Sequence, residues 1–169
     1  PGHGSRPHDD NAVVKLSKAI GTLGAAKLPM HSCQTLKAFL NGVADTQDHE
    51  TAQALRDVLD EDKSEAALKA LPFDEETVSS LRALLRNTVS PTLLQAGSKI
   101  NVIPAEATAY IDGRLAPGQT DKSFEAEIRP YIGDEIELIV DQYSPPLEAD
   151  TGSPLYQTDV EVMGEHDPN

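Results

Sequence analysis

Tryptophan is missing from these 169 residues, and aromatics of any kind make up only 4%. A core must therefore be assembled from Leu, Ile, Val and Ala rather than from large rings. A single cysteine, Cys33, excludes an internal disulfide and any cysteine-based zinc site. No apolar run approaches the length of a membrane-spanning helix, and no signal-peptide pattern is visible. We therefore expect no membrane association and a cytoplasmic compartment. Basic residues are scarce, 14 against 28 acids, for a net charge of −14. Such a surface repels phosphate backbones, so nucleic acid is not an expected partner. The chain also lacks a Gly-x-Ser-x-Gly nucleophile turn and a Gly-rich loop ending in Gly-Lys-Ser/Thr.

The charge that is present is unevenly spread. Residues 45–76 hold eleven acids and three Lys/Arg, and residues 141–169 hold seven acids and no Lys/Arg. The remainder is close to neutral, and its period is easier to read. Val13, Leu16, Ile20 and Leu23 form one helical face, with Asp9-Asp10 before it and Asp10 as the expected N-cap. Short helices follow over residues 32–71. Another begins at Asp74, with Phe73 and Val78 placed as a hydrophobic staple and Val78, Leu81, Leu84 and Leu85 as its buried stripe.

The period then changes. Thr88 to Ala96 is rich in β-formers, and Pro91 within it calls for an edge position or a bulge. Ala105 to Leu115 alternates, with Ala107, Ala109, Ile111 and Leu115 on one side and Thr108, Tyr110, Asp112 and Arg114 on the other, as in a half-buried strand. Thr120 caps a helix with Phe124, Ile128 and Ile132 on one face. Glu135 to Val140 reads as a further short strand, and Pro154 to Glu165 as a weakly apolar helix.

This order, completed by a strand before residue 1, is β-α-β-β-α-β. We therefore expect an α+β fold, a ferredoxin-like two-layer sandwich of antiparallel sheet with helices on one face. It would carry a helical insertion over about residues 30–87, too long for a simple connection, and its first strand would be truncated. The chain opens inside a motif and has no initiator Met, so it reads as an excised piece.

Three side chains suit the holding of a polar substrate. His3 stands between glycines in Gly2-His3-Gly4-Ser5, where a ring N–H can meet a carbonyl oxygen as it gains charge. Asn101 lies in a loop before Val102-Ile103-Pro104 and is equally at home as a turn residue. Arg114, on the polar side of its strand, can clamp a carboxylate in two-pronged fashion, or simply pair with Asp112 or Glu106. His8 stands too awkwardly to His3 to share a metal, and His31, His49 and His166 are scattered, so no metal ligands are assigned.

Taken together the motifs carry more than any one alone. Gly-His-Gly-Ser-Arg-Pro with Asn11-Ala12 resembles the opening of the lid, or dimerisation, domain of the M20 family of zinc-dependent amidohydrolases. Gly97 to Ala107, followed by Asp112-Gly113-Arg114 and Pro117-Gly118, resembles the second half of that domain. Residues 31–86 are similar to the longer lids of carboxypeptidase-S-like members. The resemblance implies a lid or dimerisation domain over 1–145, with 146–169 a partial return toward a catalytic domain. It further implies zinc held by that catalytic domain, a homodimer, and a small peptide or N-acyl-amino-acid substrate. Residue by residue, it implies that His3 polarises the scissile carbonyl and that Asn101 and Arg114 bind substrate. The metal ligands and the general-base Glu of the family have no counterpart in these residues, so the chain by itself is expected to be inactive. Two other readings stay open at this level, a non-catalytic dimerisation module and a free-standing small-molecule-binding domain of the same fold.

Overall fold

A computed structural model describes residues 2–6 and 10–166. Pro7, His8 and Asp9, named above, lie outside the described residues. The chain divides into two compact units, one made of residues 1–31 and 85–145, the other of residues 32–84 and 146–169.

In the first unit, β1 (Gly2–His3) pairs with β3 (Val102–Ile103), and β2 (Thr88–Ala96) pairs with β4 (Ala107–Arg114). Both pairs are antiparallel two-stranded sheets. The β2–β4 register shifts between Pro91 and Leu93, so the proline is accommodated at an irregularity as its missing N–H requires. Along β4 burial alternates strictly: Ala107, Ala109, Ile111 and Gly113 are half-buried, and Thr108, Tyr110, Asp112 and Arg114 are exposed. Helix α1 (Ala12–Gly24) packs on both strands and on α6 (Asp121–Ile132). The core of this unit is Leu23, Leu28 and Ile128, with Val89, Ile111, Phe124 and Ile132 packed against it. Two helices thus share one sheet face, because the apolar sides of α1, β2, β4 and α6 have only each other to bury against.

Gly113 shows how close that approach is. A Cβ built there would lie 2.6 Å from Phe124 Cε1 and 2.8 Å from Cζ. The hydrogen of glycine is what admits the ring. Thr120 caps α6 as expected, in a reciprocal arrangement with Ser123.

Three expectations need correction here. Asp10 is not the N-cap of α1; Asn11 is, its Oδ1 accepting from the Val13 N–H at 3.0 Å, while Asp10 is drawn to Lys15 at 2.7 Å. Residues 135–140 form no strand. Ile136 and Leu138 are half-buried as the alternation suggests, but no ladder partner lies beside them among the described residues. The Arg129 guanidinium takes the Ile136 carbonyl instead, at 2.8 Å. An alternating pattern specifies a buried side and not a hydrogen-bonding neighbour. Leu84, assigned to a buried stripe, is 53% exposed, since the chain leaves α5 there and the helix no longer holds its period.

A polar pin stands where the chain crosses between units. The His31 N–H donates to the Leu85 carbonyl at 2.7 Å, and Met30 and Arg86 form an isolated antiparallel bridge. The His31 Nε2 lies 2.7 Å from Glu127 Oε2 on α6. Asn87 Nδ2 donates to the same oxygen at 2.9 Å, and its Oδ1 accepts from the Ala116 N–H at 2.8 Å. All of these contacts lie within the first unit.

The second unit is helical: α2 (Gln34–Asp45), α3 (His49–Asp57), α4 (Ser64–Ala70), α5 (Glu75–Leu84) and α7 (Pro154–His166). Leu36, Leu40, Leu55, Val58, Leu68 and Leu81 are buried. No helix in the described chain is long and apolar enough to cross a membrane.

Acidic residues hold several of these helix starts. Asp48 accepts from the Thr51 and Glu50 N–H groups at α3, and Asp74 accepts from the Thr77 N–H and hydroxyl at α5. Glu148 accepts from the Thr35 N–H at α2. These bonds, those from Thr51, Thr77 and Thr35 foremost, hold all three carboxyls below their ordinary range. Because the folded pKa values are depressed, the stability they contribute is whole above about pH 4 and is lost as pH falls below it through the depressed values. Far-UV circular dichroism between pH 5 and pH 2 is expected to show loss of helix. Replacing Asp48 and Asp74 together by Asn, which caps without titrating, should flatten that loss.

Candidate functional site

Of the three residues singled out in the sequence, the fold brings the backbones near two of them together and places the third at the far end of a long strand. The β1–β3 pairing places His3 opposite Val102 and Gly2 opposite Ile103. One residue on, the Gly4 N–H donates to the Asn101 carbonyl at 2.8 Å. The approach is tight enough that a Cβ at Gly4 would stand 3.3 Å from that oxygen. The chain segments that carry His3 and Asn101 are thus neighbours, and both residues are exposed. No described residue other than glycine has positive φ, so Asn101 is not there to fill a left-handed turn position.

The His3 ring is engaged through its Nδ1 side. Its Nδ1 accepts from the Ser5 backbone N–H at 3.2 Å and lies 2.7 Å from Ser5 Oγ. With Nδ1 turned toward Ser5, Nε2 is the ring nitrogen left for other contacts. The ring is held by the turn that follows it, where the Arg6 N–H donates to the His3 carbonyl at 2.9 Å. What this leaves for a ligand is Nε2, on a short, glycine-flanked strand.

Arg114 closes the far end of β4, opposite Thr88, whereas Ala107 at the near end is opposite Ala96. The loop that carries Asn101 leaves from that near end. At the usual rise per residue the two ends of β4 are about 24 Å apart. Arg114 thus stands a full strand length away from the point where that loop leaves β4. The partner of Arg114 is Asp112, on its own strand, and not Glu106: Nε lies 2.8 Å from Oδ1 and Nη2 donates to Oδ2 at 2.8 Å.

No three His, Cys, Asp or Glu side chains among the described residues stand close enough to hold a metal ion. The described residues therefore do not fit a zinc site, and Cys33 is taken up as the N-cap of α2, its sulfur accepting from the Leu36 N–H at 3.3 Å. The His31–Glu127–Asn87 pin escaped the sequence reading. Its one visible signal was Glu127 itself, a charge set between Phe124 and Ile128 on the apolar side of α6.

Comparison with known proteins adds the following. The family model M20_dimer, a peptidase dimerisation domain, matches residues 1–138. The mouse (Mus musculus) N-fatty-acyl-amino acid synthase/hydrolase PM20D1 is 28% identical over 167 residues, 97% of this chain and 31% of that protein. The Xenopus tropicalis protein of the same name is 40% identical over 73 residues, 43% of this chain and 14% of its own length. A probable carboxypeptidase S-like 2 of Dictyostelium discoideum is 39% identical over 59 residues, 35% of this chain and 11% of its own length. The chain thus spans about a third of the mouse relative, and less of the other two. No solved structure matches it.

Proposed function

Because the chain belongs to the M20 peptidase family, as a peptidase dimerisation domain, we propose that it is the lid of a zinc-dependent hydrolase acting on the amide bond of a small peptide or N-acyl amino acid. The observation that supports this reading is the β1–β3 pairing, which brings the segments that carry His3 and Asn101 next to each other. A ring N–H of His3 there stabilises the oxygen of a scissile carbonyl as charge develops on it. The Asn101 amide orients the same carbonyl or a neighbouring group, and Arg114 takes the substrate carboxylate. The zinc implied by the resemblance belongs outside these 169 residues, whose described part offers no ligand set.

Arg114 stands at the end of β4 opposite to the loop that carries Asn101, which supports a site shared between two copies. His3 and Asn101 come from one copy and Arg114 from another, so the working site is built by a homodimer. We place the lid over 1–145, with the helical insertion at about 30–87 and residues 146–169 returning toward a catalytic domain. The fold of the lid is read as ferredoxin-like, a reading supported by α1 and α6 sharing one face of the antiparallel β2–β4 pair.

The test is complementation. His3→Ala and Arg114→Ala full-length proteins are each expected to be nearly inactive on an N-acyl amino acid. Mixed and allowed to exchange subunits, they should recover about a quarter of wild-type activity, because half of the random dimers are mixed and each of those rebuilds one site of two. A mixture no more active than its components would rule out the two-copy site.

A further inference from the structure

Arg114 lies on an open sheet face, its side chain 79% exposed, with Asp112 at 43% beside it. Nothing bulky faces the pair across the sheet: the residues opposite are Thr88 and Ser90. The two side chains meet edge to edge. One carboxylate oxygen takes Nε–H and the other takes an Nη2–H, which is the side-on arrangement of the guanidinium fork.

We infer that Asp112 is a positioning residue for Arg114, fixing which edge of the guanidinium is presented to a substrate carboxylate. A guanidinium is planar and has donors on two edges. With the Nε/Nη2 edge held by Asp112, the Nη1/Nη2 edge remains for a second carboxylate. The long side chain would otherwise sample many rotamers and would have to be ordered when substrate binds. The strand supplies rigidity, since residues two apart on β4 face the same way. Lysine at either role would fail, because one ammonium offers no second flat edge. The inference rests on the carboxylate role proposed for Arg114 and adds a residue to it.

The experiment compares two substrates in the full-length enzyme: an N-acyl amino acid and its carboxamide, identical except for the free carboxylate. The readout is the ratio of their kcat/KM values in wild type, Arg114→Ala, Asp112→Asn and Asp112→Glu. In Arg114→Ala the ratio is expected to collapse toward one. Asp112→Asn, which keeps the shape but sets an N–H against the Nη2–H, should lower the ratio roughly tenfold, chiefly through KM, with an unchanged melting temperature. Asp112→Glu should restore part of it, because two carboxylate oxygens again face the fork. An intact ratio in Asp112→Asn beside a collapsed one in Arg114→Ala overturns the positioning role alone, and so does an equal loss on both substrates. An intact ratio in Arg114→Ala overturns the carboxylate reading and the positioning role with it.

Discussion

Replacing His3 by alanine in the full-length enzyme is expected to lower kcat by roughly 10²- to 10³-fold, the loss that follows removal of one oxyanion donor, with KM changed little. The separation between the two constants is the point. A donor aimed at charge that develops only in the transition state contributes little to ground-state binding. The structure isolates that effect well. His3 lies on a two-residue strand, is exposed, and has its ring held by Ser5, so its side chain supports no core. Thermal stability should therefore move by less than about 0.5 kcal/mol, as for an ordinary surface change. Steady-state kinetics with a melting curve on the same preparation checks both. A kcat within a few-fold of wild type would remove His3 from the chemistry.

The second large effect is on folding. His31→Ala is expected to destabilise the first unit by about 2–3 kcal/mol. The Glu127 side chain is only 7% exposed, and its Oε1 has no partner among the described residues. Removing the imidazole leaves Oε2 with Asn87 alone and a carboxylate still buried. The asymmetry of such pairs supplies the control: a His31→Leu/Glu127→Leu double variant removes both polar groups and should recover part of the loss. Denaturant unfolding of the four proteins measures it. A double variant as weak as the sum of its singles would show that packing, and not an orphaned carboxylate, sets the cost.

These two residues also mark how far the chain could be read in advance. Periodicity carried the helices and the long hairpin: the α1 face at Leu16 and Leu23, the alternation of β4, the irregularity at Pro91 and the Thr120 cap were all legible, because each depends on residues near in sequence. Ile136 and Leu138 misled, since their alternation shows which side is buried and cannot supply a ladder partner. Asp10 lost the capping position to its neighbour because Lys15 competed for its carboxylate, a choice between two adjacent acceptors that pattern alone leaves undecided. The pairing of the segments that carry His3 and Asn101 was hinted at only by the grouping of the motifs, and the placing of Arg114 at the far end of β4 was hidden by its closeness to Asn101 in sequence. Thirteen positions separate them, yet a strand turns most of that interval into length. His31 looked scattered for the opposite reason, as its partner lies 96 positions away.

The hydrogen at Gly113 has a reach beyond its own strand. On one side of it stand Asp112 and Arg114, whose fork is aimed outward; on the other lies the Phe124 ring, one turn of α6 before Glu127. A single methyl at that place would press on the helix that anchors the crossing at His31 and on the strand that aims the arginine. A side chain at position 113 requires the ring at position 124 to shift. The short Asp-Gly-Arg motif in this sense joins an exposed ion pair to a packed ring through one residue that has no side chain.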